Sequence, residues 1–116
     1  MSTILLAEDD SAIIEIVTYI LQGSGFSVVS ITTSDEVLAY LKKHKPSLIL
    51  LDISLEGEKI ARKIKRDPST AKIPLLILSA NPETETIAKA TGADGFLQKP
   101  FDMEELIATV SRYVVS

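Results

Sequence analysis

Short, wholly apolar runs alternate along this chain with longer segments whose apolar residues recur every three or four positions. Runs of four or five such residues are too short for helices and lack the polar alternation of a half-exposed strand. They fit strands buried on both faces, and the periodic segments between them fit amphipathic helices. Thr3 to Ala7 predicts the first strand. Ile13, Ile14, Ile16, Val17, Ile20 and Leu21 predict an inward stripe on a first helix, with Asp10 as its N-cap and Gly23 and Gly25 ending it. Ser27 to Thr32, rich in β-branched residues, predicts the second strand. Ser34 is placed to cap a helix from Asp35 to about His44, with Val37, Leu38 and Leu41 inward, and Pro46 blocks its continuation.

Leu48 to Leu51 is the most apolar run and predicts the central strand. A short helix from about Glu58 to Arg66 carries Ile60, Ala61 and Ile64 inward, and Asp67-Pro68 opens the loop to a fourth strand, Leu75 to Leu78. Asn81-Pro82 reads as the N-cap and first residue of a fourth helix that stops at Gly92. Gly95 to Leu97 is the fifth strand; Asp102 and Glu105 have capping-box spacing for a last helix with Leu106, Ile107, Val110, Tyr113 and Val114 on its buried stripe. Five strands alternating with five helices predict an α/β fold, a (βα)5 three-layer sandwich. Right-handed crossovers leave few topologies, of which the flavodoxin-like parallel order 2-1-3-4-5 is the commonest for this count.

A chain of 116 residues, 46% apolar and without linker or repeat, reads as one domain over 1–116 that buries a core without staples. The absence of cysteine removes disulfides, zinc–thiolate sites and cysteine nucleophiles, and is compatible with a cytoplasmic location. Three acids directly after Ile4 to Ala7 exclude a secretory signal core, and no run approaches membrane-spanning length, so no membrane insertion is expected. The net charge of -4 argues against direct nucleic-acid binding. Locally, Lys59, Arg62, Lys63, Lys65, Arg66 and Lys72 cluster in sequence. They read as a solvated helix face with a Glu58–Arg62 pair, or as a docking patch for an acidic partner.

The predicted strand order puts the ends of the first and third strands side by side at the switch point where ligands of open α/β sheets bind. Glu8, Asp9 and Asp52 converge there. Three neighbouring carboxylates repel one another unless protons or a cation intervene, and an oxygen-only set without histidine favours Mg²⁺ or Mn²⁺. N-capping of the following helix is the plainer alternative for Asp9 and Asp10. Lys99 and Ser79, at the ends of neighbouring strands, add an ammonium and a hydroxyl donor. Metal, lysine and hydroxyl around one carboxylate nucleophile make a phosphoryl-transfer set.

The chain resembles the receiver domains of bacterial two-component response regulators, including the chemotaxis regulator and other single-domain members. The resemblance is carried by Ile4-Leu5-Leu6-Ala7-Glu8-Asp9-Asp10, by Pro46-Ser47-Leu48-Ile49-Leu50-Leu51-Asp52, by Ile73-Pro74 followed by Leu75 to Ala80, and by Gly92-Ala93-Asp94-Gly95-Phe96-Leu97-Gln98-Lys99-Pro100-Phe101. It implies Asp52 as phosphoacceptor, Asp9 and Asp52 on Mg²⁺ directly, Glu8 largely through water, and the Ser54 backbone carbonyl as a further metal ligand. It also implies that Lys99 pairs with Asp52, that Ser79 follows the phosphoryl group, that Phe96 is an aromatic switch, and that Lys99-Pro100 is cis. The implied donor is a histidine kinase or histidine phosphotransfer protein, the implied chemistry includes slow self-catalysed hydrolysis, and output passes to an unknown downstream protein because residues 1–116 hold no output domain. The bland rivals are a core role for Phe96, a local hydrogen bond for Ser79 and a solvated strand end for Lys99.

Two segments depart from the family's pattern. Asp52-Ile53-Ser54-Leu55-Glu56-Gly57-Glu58-Lys59 lacks the usual Pro-Gly turn and is a few residues short, which bears on the Ser54 contact and on where the third helix starts. Ser79 to Gly92 is also short, leaving the fourth helix trimmed or shifted. A receiver-like binding scaffold without phosphorylation is the second reading. An aspartate-nucleophile phosphohydrolase usually carries another acid two residues after the nucleophile, where Ser54 stands, and a flavin-binding reading lacks its hydroxyl-rich phosphate loop. His44, at the far end of the second helix, reads as a surface residue favoured by the helix dipole.

Overall fold

The computed structural model describes residues 2–114. Its elements run β1 (Thr3–Ala7), α1 (Ser11–Gly23), β2 (Ser27–Ile31), α2 (Ser34–Lys43), β3 (Leu48–Asp52), α3 (Gly57–Arg66), β4 (Leu75–Ser79), α4 (Thr84–Thr91), β5 (Gly95–Gln98) and α5 (Met103–Tyr113). The strands form one parallel sheet in the order β2-β1-β3-β4-β5, as the sequence predicts. Successive side chains of a strand point to opposite faces, so each apolar run feeds two cores at once. Leu5, Ala7, Ile49, Leu51, Leu75 and Ile77 pack under α2, α3 and α4 against Val37, Leu41, Ile60, Ile64 and Ala88. Ile4, Leu6, Leu48, Leu50, Leu76 and Leu78 pack on the other face against Val17 and Leu21 of α1 and Leu106 and Val110 of α5. Truncating one of these leucines or isoleucines to alanine costs about 2–5 kcal/mol, a large share of a small domain's stability.

Helix ends follow the capping residues with two corrections. Asp10 caps α1, accepting from the amides of Ala12 and Ile13, and Asp102 caps α5 through the Glu105 amide. For α2 the cap is Thr33 rather than Ser34: its hydroxyl accepts from the Glu36 amide and donates to the Glu36 carboxylate, a reciprocal arrangement that Ser34 has no acid at the right spacing to make. Asn81-Pro82 does not open α4. The Asn81 carboxamide accepts from the Glu83 amide and its carbonyl from the Thr84 amide and hydroxyl, so a separate turn forms and the helix starts at Thr84. That leaves a helix of 8 residues, ended at Gly92 with φ +83, where a residue without Cβ relieves the left-handed conformation. Ile16 was expected on the inward stripe of α1 but is 52% exposed, because it lies off the Val17–Leu21 line that meets the sheet. His44 is exposed as expected, its ring stacked on Tyr40.

Lys65 also departs from the solvated-face reading. Its ammonium turns inward to the carbonyls of Ala71 (2.8 Å) and Ile73 (3.0 Å) and to Asp94 Oδ2 (2.7 Å), which also accepts from the Leu75 amide. One cation therefore ties α3 to the loop before β4 and to the start of β5. Lys65→Met leaves those acceptors without their donor and is expected to lower stability by about 2 kcal/mol in urea unfolding. Lys63→Met, on the solvent side of the same helix, should stay within about 0.5 kcal/mol of the parent. Equal effects at the two positions would refute the tie.

Candidate functional site

Parallel strands with matched register deliver whatever follows their apolar runs to one edge of the sheet. β1 hands over Glu8 and Asp9, β3 ends on Asp52, β4 on Ser79, and β5 leads to Lys99. Two backbone bonds extend the pairing past the strands and fix the approach: the Glu8 amide donates to the Ile31 carbonyl at 3.1 Å and the Lys99 amide to the Ser79 carbonyl at 2.7 Å. The Lys99–Pro100 peptide is cis. The result is an open cleft of about 370 Å³ whose lining includes Glu8, Asp9, Asp52, Ser54, Ser79 and Lys99. All six of these sequence-predicted residues come together; Phe96 does not. It is half-buried beside Ile77 and packs into the α2–α4 core.

Glu8 is fully buried and Asp52 is 4% exposed, while Asp9 faces solvent. Each of the three carboxylates places one oxygen within 4.8 Å of the others. Against them stands one cation: Lys99 Nζ is 2.8 Å from Glu8 Oε1 and 3.6 Å from Asp52 Oδ1. The lysine thus leans on Glu8 more closely than on the Asp52 partner that the resemblance implies. Glu8 Oε2 accepts from the amides of Asp9 and Asp10. Asp52 Oδ1 accepts from the Ser54 amide at 3.2 Å, and Oδ2 from the Ser54 hydroxyl at 2.6 Å.

These partners pull the two buried acids apart. Burial, reinforced by the adjoining Asp52 carboxylate, pushes Glu8 above the ordinary glutamate range in spite of Lys99. For Asp52 burial acts in the same upward direction but is outweighed by hydrogen bonds from Glu8 and Ser54 and by the Lys99 charge, so the group sits below the usual aspartate range. Fully ionised, three carboxylates and one ammonium leave two negative charges, which a divalent cation balances. Asp9 and Asp52, with Glu8 behind them, are the oxygen donors available to hold it, and no histidine or thiol competes.

Some of this escapes sequence reasoning. The Ser54 hydroxyl bond to Asp52 adds to the backbone role that the resemblance implies for that residue, and it arises because the short loop turns back at once. Asn81 also lines the cleft, and its amide donates to the Ser79 hydroxyl at 3.0 Å. Its position two residues after Ser79 was the available signal, read instead as a helix cap. Glu56 before α3 has φ +56, and Gly57 leaves no room for a side chain, since a Cβ there would stand 2.9 Å from the Asp52 carbonyl oxygen.

The family model for the response regulator receiver domain matches residues 4–111. The chain belongs to this family. It is 34% identical over 111 residues to the phosphate regulon transcriptional regulatory protein PhoB of Pseudomonas aeruginosa, covering 91% of this chain and 48% of that protein. It is 35% identical over 115 residues to the DNA-binding dual master transcriptional regulator RpaA of Synechocystis sp., covering 95% and 48%. The chain spans about half the length of the curated relatives it matches. In structure it is similar to the chemotaxis response regulator CheY4 of Vibrio cholerae, with a TM-score of 0.89, 28% identity, and coverage of 98% of this chain and 99% of that one. Receiver domains are signalling modules that accept phosphoryl groups from histidine kinases and generally bind Mg²⁺ at an acidic pocket. Among the described residues, no helix is long and apolar enough to cross a membrane.

Asp9→Asn removes one of the clustered charges from an exposed side chain. It is expected to raise the stability of the metal-free protein by relieving like-charge repulsion from Glu8 and Asp52. Excess MgCl₂ should stabilise the parent but not the variant in urea unfolding. If Mg²⁺ stabilises both alike, Asp9 is not a ligand.

Proposed function

We propose that Asp52 accepts a phosphoryl group from the phosphohistidine of a histidine kinase or phosphotransfer protein in a Mg²⁺-dependent reaction, and that this single receiver unit signals by protein–protein contacts in the cytoplasm. The observation that carries this reading is the placement of Lys99 between Glu8 and a buried Asp52 at the strand ends. An Asp52 oxygen forms the new bond to phosphorus as the phosphorus–nitrogen bond breaks, and the imidazole leaves with the electron pair. The low pKa of Asp52 keeps it ionised and ready. When bound, Mg²⁺ supplies neutralising charge for the transferred group; Asp9 and Asp52 would hold it directly, with Glu8 largely through water and the Ser54 carbonyl assisting.

The protein's own groups do the rest. Lys99 Nζ, 3.6 Å from Asp52, is placed to offset the charge arriving there. The Ser79 hydroxyl accepts from the Asn81 amide, which leaves its own O–H available to donate to a phosphoryl oxygen. Replacing a carboxylate by a dianionic acyl phosphate then redistributes these partners, and the cores beneath them offer a two-state element in which Phe96 is the switch residue. Water attacking the acyl phosphate returns Asp52, giving the slow self-hydrolysis. A second reading, a scaffold that works without phosphorylation, finds support in the Ser54 hydroxyl and Lys99 bonds, which close the site on itself without a metal.

Intact mass after incubation with acetyl phosphate discriminates the two. The protein should gain one phosphoryl mass with MgCl₂, none with excess chelator, and none in Asp52→Asn. An unmodified parent, together with amide shifts near Asp52 that ignore beryllofluoride, would favour the scaffold; equal labelling of Asp52→Asn would remove Asp52 as the acceptor.

A further inference from the structure

Charge is segregated along the chain far more than its net value suggests. Nine of the twelve lysines and arginines stand between Lys42 and Lys72, a stretch with four of the sixteen acids. Of those acids, Asp52 is buried at the opposite edge of the sheet, Asp67 is occupied by the amide and hydroxyl of Ser69, and Glu56 and Glu58 reach Lys59 and Arg62 only at 3.9 Å. Lys42, Lys43, Lys63, Arg66 and Lys72 are exposed and form no salt bridge among the described residues.

Two of these cations, Lys42 and Lys63, line a groove of about 250 Å³ between the C-terminal halves of α2 and α3. Its apolar lining is Leu38, Leu41 and Ile64, Lys42 and Lys63 border it, and Asp67, Ser69 and Thr70 complete it, with the Asp67 carboxylate held by the amide and hydroxyl of Ser69. We infer that this groove docks an acidic amphipathic helix of a partner protein, one apolar side chain seated on the apolar lining and carboxylates against the lysines. Charge complementarity selects the acid, and the apolar lining selects a side chain. Leu41 and Ile64 are 2% and 1% exposed, so the half-buried Leu38 above them is the apolar surface that a projecting leucine meets. A nucleic acid fits less well, because its phosphates have no use for an apolar lining and the rest of the surface is strongly acidic.

The helices of a parallel α/β sheet run opposite to its strands, so this groove lies at the edge away from Glu8, Asp9 and Asp52. A partner held there leaves the acidic cleft open. Docking is therefore compatible with either state of Asp52, and it does not depend on the proposed phosphoryl transfer.

Amide NMR with a synthetic helical peptide, leucines along one face and glutamates flanking them, tests the inference. Saturable shifts are expected around Leu38–Lys42 and Lys63–Thr70, weakening with added salt. Lys42→Glu/Lys63→Glu should weaken binding about tenfold or more at an unchanged urea midpoint, a factor equal to about 1.4 kcal/mol. Asp52→Asn should bind as the parent does. The same peptide with lysine for glutamate, phosphatidylglycerol vesicles and single-stranded DNA should leave the groove resonances unmoved. No saturable shift with the acidic peptide, shifts confined to another face, or binding to vesicles or DNA alone overturns the proposal, and the mapping on the parent protein holds even if the double variant does not fold.

Discussion

Three carboxylates and one ammonium at the end of a buried sheet are the constraint around which this structure is arranged. Glu8 has no contact with solvent and Asp52 almost none, so their repulsion is not relieved by water. What remains is local: Lys99 lodged between them, amides of the next residues on Glu8, and the amide and hydroxyl of Ser54 on Asp52. Those partners suffice to hold the metal-free cleft together while leaving an excess of negative charge. The contacts that Asp52 itself makes are the Ser54 amide and hydroxyl and the Lys99 ammonium.

Much of this was legible in the sequence because the signals are redundant there. An apolar run such as Leu48 to Leu51 can only be a buried strand, five such runs separated by amphipathic segments leave few topologies, and the chosen order brings positions 8, 9, 52, 79 and 99 to one edge. What was not legible depended on choices between near-equivalent local partners. Thr33 and Ser34 are both good caps, and only Glu36 three residues after Thr33 decides between them. Asn81-Pro82 satisfies a turn as well as a helix start, and Thr84 settles the matter by bonding back to the Asn81 carbonyl. Lys65 sits in a run of basic residues with nothing in its neighbourhood to reveal that its partner, Asp94, is twenty-nine positions away.

Membership of the receiver family and the likeness to a chemotaxis regulator of nearly the same span establish the fold, and the curated relatives, of which this chain spans about half, are named as transcriptional regulators. The molecule nonetheless has its own character. The acidic end crowds three carboxylates around one lysine, and lysines and arginines collect along α2 and α3. Carboxylates gather at the carboxyl ends of the strands, and the opposite sign collects toward the far edge of the same sheet.

Gly57 carries a last consequence. Its missing Cβ lets the first turn of α3 lie directly on the Asp52 carbonyl, with the Gly57 amide bonded to the Ile53 carbonyl and no slack residue between. The start of α3 is therefore set against the end of β3, and a side chain at position 57 would push the two apart. In a loop of only four residues, 53–56, the room for that close approach comes from the absence of a side chain at position 57.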